Sequence, residues 1–172
     1  MSDTKHTLVA LVEDKPGVLN RVASLFRRRA FNIQSLAVGH SEQPGLSRMT
    51  VVVSGDSAVV EQVRKQLDKL INVIKVTDIT EGDIVARELA LIKVNATAAT
   101  RSEIIQIVDI FRANIVDVAS DSLTVEVTGD EDKVESLFEL LRSFGIKEVT
   151  RTGRVALTRG GNPVKIRSNI EN

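Results

Sequence analysis

Apolar positions along this chain alternate between two periods. Thr7–Val12 is a near-continuous apolar run, the pattern of a strand buried on both faces. From Val18 the spacing changes. Val18, Leu19, Val22, Leu25 and Phe26 fall at i, i+1, i+4, i+7 and i+8, with Asn20, Arg21, Ser24, Arg27 and Arg28 opposite, which predicts an amphipathic helix. Asn32–Val38 returns to a strand period, and Arg48–Val53 predicts another strand. Ala58–Leu70 carries Val60, Val63, Leu67 and Leu70 at helical spacing, with a surface pair Glu61–Lys65, and Val73–Ile79 is a fourth strand. The order is βαββαβ, the ferredoxin-like split unit.

The pattern then repeats. Leu123–Asp130, LTVEVTGD, echoes Met49–Asp56, MTVVVSGD, and Asn114-Ile115 echoes Asn32-Ile33. The second copy reads as strands Glu88–Ala96, Ile115–Ala119, Leu123–Thr128 and Ile146–Thr150, with helices Arg101–Phe111 and Glu131–Phe144. The fold class predicted is therefore α+β, two tandem ferredoxin-like βαββαβ domains. The division expected is 1–80, a linker at 81–84, 85–160, and a flexible tail over 161–172, with Val155-Ala156-Leu157 adding a short strand.

The loop before the first helix, Glu13-Asp14-Lys15-Pro16-Gly17, holds the candidate chemistry. Asp14 is expected to cap the helix through the N–H of Gly17. Pro16 is expected in the first turn, where its missing N–H costs nothing. Gly17 lets a ligand approach the backbone, and free N–H groups with the helix dipole favour a small anion. The matching loop of the second copy, Thr97-Ala98-Ala99-Thr100, has no Pro, Gly or acidic residue, so no ligand is expected there. D-x-P-G before a helix is common, and by itself it is compatible with an ordinary helix start.

Composition narrows the classes. Lys+Arg and Asp+Glu are both 23, and aromatics are 3 %, all phenylalanine. A neutral chain without flat side chains in its central strands argues against a nucleic-acid partner, including the RNA-binding module that shares the βαββαβ order. Cysteine is absent, which removes disulfides and thiolate metal sites. No apolar run has the length of a membrane span, and residues 1–6 lack a signal-peptide pattern; the cytoplasm is the expected location. His6 and His40 are expected as surface histidines with no metal. No nucleophile–base pair, metal cluster or phosphate loop stands out, so no catalytic residue is assigned.

Two features favour an oligomer. Val51, Val52 and Val53 are consecutive, so the sheet is apolar on both faces and needs a cover. The strand Asn32–Val38 is an edge in this topology and has no Lys or Pro to block pairing. A homodimer is the expected assembly; the alternative is that the tail or the second domain covers the face.

The run E-D-K-P-G-V-L-x-R-V-x-x-L-F-x-R-R-x-F-N-I-x-S-L-A-V-G, with P-G-L-S-R-M-T after it, resembles the small, regulatory subunit of acetolactate synthase (acetohydroxyacid synthase), a family built on ACT domains. The resemblance spans Thr7 to about Gly160. It implies a non-catalytic chain that binds a large catalytic subunit of branched-chain amino-acid (valine, leucine, isoleucine) biosynthesis, raises its activity and confers feedback inhibition by valine, with leucine and isoleucine as further candidates. Thiamine diphosphate and Mg, with FAD a further candidate, would belong to that partner. The effector site implied comprises Asp14, Pro16, Gly17, Val18 and Leu19 of one chain with Asn32 and Ile33 of a neighbour, Leu19 and Ile33 forming apolar walls. Two residues depart from the family pattern. Asp14 stands where Asn is common, and Ala30 where Gly usually ends the helix. A free-standing ACT-type amino-acid sensor acting on another enzyme or on a transcription factor is the rival reading.

Overall fold

The protein is described by a computed structural model over residues 4–161; the expected tail, apart from Gly161, lies outside these. Strands and helices fall where the periodicity puts them. The first run comprises β1 (Thr4–Glu13), α1 (Val18–Arg28), β2 (Ile33–His40), β3 (Leu46–Gly55), α2 (Ser57–Leu67) and β4 (Val73–Asp78). The second comprises β5 (Ile84–Asn95), α3 (Arg101–Ile110), β6 (Asn114–Val118), β7 (Ser122–Gly129), α4 (Glu131–Arg142) and β8 (Ile146–Arg151), and a short β9 (Val155–Thr158) follows. The sheets are antiparallel, with strand orders β2-β3-β1-β4 and β6-β7-β5-β8, and β9 pairs with β5. These are two ferredoxin-like split units, as the pattern predicts.

Each unit has its own core. In the first, Leu8, Ala10 and Val12 of β1 meet Val22 and Phe26 of α1 and Val60, Val63 and Leu67 of α2. In the second, Ala90, Ile92 and Val94 meet Ile104, Val108, Val134, Leu137 and Leu141. Helix starts are capped as the sequence pattern allows at α2 and α4, where the Asp56 and Asp130 carboxylates accept from the Ala58 and Lys133 N–H groups.

The opposite face of the first sheet is buried too. Thr7, Val9 and Leu11 alternate with the core residues of β1 and are as inaccessible as they are. At Val9 and Ile79 the cover is the chain's own C-terminal segment. Ala156, Leu157 and Thr158 stand beside these two residues and, with Glu42, Arg48 and Gly160, line an open hollow of about 310 Å³ with them. Arg154 donates its N–H to Ser35 Oγ at 2.8 Å and its guanidinium Nη1 to Thr7 Oγ1 at 3.0 Å. Contacts therefore place residues 154–161 with the first unit, which otherwise runs to Val85, and leave Ala86–Gly153 as the second. This differs from the expected 85–160 boundary because residues 154–158 find their apolar surface on the first sheet. It also withdraws part of the case for an oligomer, since this part of the apolar face needs no second chain.

α1 and α3 end alike. Ala30 (φ 56°) and Arg112 (φ 51°) are left-handed. Phe31 N–H donates to Phe26 O and Ala30 N–H to Arg27 O, and Ala113 and Arg112 repeat this toward Val108 and Asp109. These are Schellman closures, a geometry that favours glycine. Ala30 thus adopts the strained conformation that its departure from the family pattern raised.

Candidate functional site

β1 ends at Glu13 and α1 begins at Val18, so the intervening loop must reverse the chain within four residues. It does so with a type II turn over Lys15–Val18. Proline presets φ at the first central position, Gly17 takes φ 85° and ψ −10° at the second, and the Val18 N–H reaches Lys15 O at 3.4 Å. Gly17, not Asp14, is the N-cap residue, and no side chain caps the helix. The expected Asp14 cap is therefore absent, and Pro16 lies before the helix rather than in its first turn. The left-handed glycine moves the helix start beyond the reach of Asp14. Among the described residues the N–H groups of Gly17, Leu19 and Asn20 have no acceptor, and the first turn of α1 has no acidic side chain. This helix end is open to an anion.

The loop is held from several sides. Asp14 N–H donates to Gly45 O at 2.8 Å, and Glu13 N–H to Asn72 O at 2.8 Å. Asn72 Nδ2 donates to Glu13 Oε2 at 2.6 Å, while Arg21 of α1 donates to Asn72 Oδ1. The Asn72 hydrogen bond, with Lys15 Nζ 3.1 Å from Glu13 Oε2, holds the Glu13 carboxyl below the usual carboxylate range. Asp14 points instead toward His40, the last residue of β2, whose Nδ1 is 3.2 Å from Asp14 Oδ2. His40 is exposed but not solitary. His6 departs further from expectation: it is buried, with Nδ1 3.6 Å from Asp78 Oδ2, because β1 begins at Thr4 rather than Thr7.

The expected site residues divide into two groups. Asp14, Pro16, Gly17 and Leu19 gather at the helix start, all exposed. Leu19 is 45 % accessible, so it leaves the core stripe predicted for it and stands as an apolar side chain beside the open N–H groups. The Val18 side chain is buried in the core and reaches the site only through its backbone. Asn32 and Ile33 lie at the other end of α1, whose 11 residues span about 16 Å. Asn32 is exposed and lines a polar hollow of about 400 Å³ with Arg29, Gln34, Ser54 and Asp56; Ile33 is half-buried against the core. Within one chain the two groups do not meet. Asn72, Gly45 and His40 were not identified from sequence, since their roles come from contacts distant along the chain. The only local hint was that His40 and Gly45 bound the loop before β3.

The matching loop of the second unit is closed by its own hydroxyls. Thr97 N–H donates to Thr100 Oγ1 at 2.9 Å and Thr100 N–H to Thr97 Oγ1 at 3.2 Å. Glu103 adds a carboxylate to the first turn of α3, where it already complements the dipole and repels a second anion.

Among the described residues no helix is long and apolar enough to cross a membrane. Residues 8–75 match the model of the AHAS small subunit-like ACT domain, and residues 87–160 that of the small subunit of acetolactate synthase. A probable acetolactate synthase small subunit of Archaeoglobus fulgidus is 62 % identical over 156 residues, 91 % of this chain and 98 % of that protein. The acetolactate synthase small subunit of Mycolicibacterium smegmatis is 57 % identical, over 90 % of this chain and 91 % of its own. The crystal structure of the acetolactate synthase small subunit from Thermotoga maritima superposes with a TM-score of 0.84 at 45 % identity, covering 92 % of this chain and 99 % of that one. With two ACT-type units, an open helix start in the first and relatives matched along nearly their whole length, this chain belongs to the acetolactate synthase small-subunit family.

Proposed function

We propose that this chain is a regulatory subunit: it binds a large catalytic subunit of acetolactate synthase, raises its activity, and makes it sensitive to valine, with leucine and isoleucine as related effectors. Thiamine diphosphate, Mg and FAD are assigned to that partner. The effector sits between two copies of the first unit, paired through their β2 edges. Its carboxylate takes the N–H groups of Gly17, Leu19 and Asn20. Its ammonium takes Asp14, which is acceptor-only when ionised. Leu19 and the neighbour's Ile33 wall the aliphatic side chain, and the neighbour's Asn32 completes the polar rim. The observation that carries this reading is the pairing of an open, uncapped helix start with site residues stranded at the opposite end of the same sheet. Such a site is completed by two chains and not by one. His40 Nδ1, 3.2 Å from Asp14 Oδ2, supports it further by orienting the carboxylate that is to receive the ammonium.

The test is reconstitution with the large subunit, titrated separately with valine, leucine and isoleucine. Activation on adding this chain and saturable inhibition by valine are expected. Activation with no response to any of the three would remove the effector assignment, and no activation would remove the subunit assignment.

A further inference from the structure

Ser35, Val52 and Thr7 form one row across the first sheet, on β2, β3 and β1. Arg154 lies along this row. Its backbone N–H is fixed to Ser35 and its guanidinium to Thr7, two strands away. The Thr7 end is rigid: it is buried, its N–H donates to Thr80 Oγ1 at 2.9 Å, and its carbonyl accepts from Ile79 N–H at 3.0 Å. The Ser35 end is different. The register of β2 against β3 shifts between Ile33 and Ser35, so Gln34 is an extra residue, and Ser35 is the first residue beyond the bulge. A bulge lets one half of a strand be re-aimed against the other. Before the bulge the strand has Ile33, its first residue, with Asn32 immediately ahead of it. The chain arrives at Arg154 directly from Gly153, which is left-handed at φ 80° and is the last residue of the second unit.

We propose that Arg154 is the positioning residue through which effector binding at β2 is passed to the chain leaving the second unit. The inference rests on the effector reading above. An effector that draws Ile33 toward the neighbouring chain shifts the bulge and with it Ser35. Arg154, held to Ser35 through its backbone, must then follow or give up its bond to Thr7. The element that shifts in this proposal is the bulge, and Arg154 is its readout. This assigns Arg154 to coupling and to neither effector contact nor activation.

The experiment uses the full chain, with Arg154→Met, Arg154→Lys and Ser35→Ala. Valine affinity is read by calorimetry on the small subunit, and activation and maximal inhibition on the reconstituted complex. In Arg154→Met, valine affinity and activation should stay within about threefold of wild type, while maximal inhibition falls by about half or more. Lys keeps one donor for Thr7 and should retain intermediate inhibition. Ser35→Ala removes a single hydroxyl and should act in the same direction, so the result does not depend on Arg154→Met folding well. The proposal is overturned if valine binding weakens in step with inhibition, if activation is lost, or if inhibition is unchanged in both Arg154→Met and Ser35→Ala. Wild type that binds no valine refutes the effector reading itself, a separate outcome.

Discussion

A Cβ at Gly17 would meet no atom within 4 Å, so the constraint there is the backbone, at φ 85°. Any L-residue in its place costs about 1–2 kcal/mol of left-handed strain. Gly17→Ala adds that strain alone, and Gly17→Asp adds it with a negative charge facing the effector carboxylate. Two like charges near 4 Å repel by about 1 kcal/mol in water and about 4 kcal/mol at an effective dielectric of 20. Gly17→Asp should therefore weaken inhibition roughly 5-fold to several hundred-fold beyond Gly17→Ala, read as rate against valine concentration for both. Equal sensitivity in the two variants would place the effector elsewhere. At Ala30 the sign reverses, because glycine relieves a φ of 56°. Ala30→Gly should stabilise the chain by about 1 kcal/mol, seen as a higher urea midpoint with unchanged slope. The sequence pointed to Gly17 and to the question at Ala30, but for Gly17 it supplied half the reason. Access for a ligand is visible from composition, whereas the type II turn emerges only when the helix start is fixed at Val18.

Elements were the most legible level. Every strand and helix predicted from hydrophobic period is present, with ends displaced by a few residues, since burial of alternate or i, i+4 positions leaves a strong trace. Less was visible wherever a polar group chose among several partners. In α2 the expected partner of Glu61 was Lys65, which lies at 3.7 Å; the closer one is Arg64 at 2.7 Å. The hydrogen bond from Arg64 holds the Glu61 carboxyl down to about 2 from a usual 4.5. A depressed carboxylate favours the folded state above its unfolded pKa, and that contribution is lost as pH falls from about 4.5 through about 2. An NMR titration of Glu61 should show its midpoint moving back toward the usual carboxylate range in Arg64→Gln and changing little in Lys65→Gln. β9 was anticipated as a short strand, but four residues carry no periodic signal about which sheet they cover.

For the whole molecule, one argument for self-association is the unprotected edge β2, which among the described residues pairs with β3 alone. On the proposed reading, a dimer through this edge would have two equivalent effector sites, and a ligand that binds only the dimer must favour it by mass action. Sedimentation velocity at micromolar chain should show a monomer–dimer equilibrium that valine shifts toward dimer. A monomer indifferent to valine would exclude the shared site. The division into two units has a further consequence, set by the direction of synthesis. Val9 and Ile79 are made long before Ala156, which stands beside them; from Ile79 the interval is 77 residues. At about 5–20 residues per second the first sheet waits roughly 4–15 s for its lid. For that interval the nascent chain presents an apolar patch on an otherwise assembled unit, a surface for holding chaperones and a hazard on crowded polysomes. A chain terminated within the second unit would lack Ala156 altogether and leave Val9 and Ile79 without that neighbour.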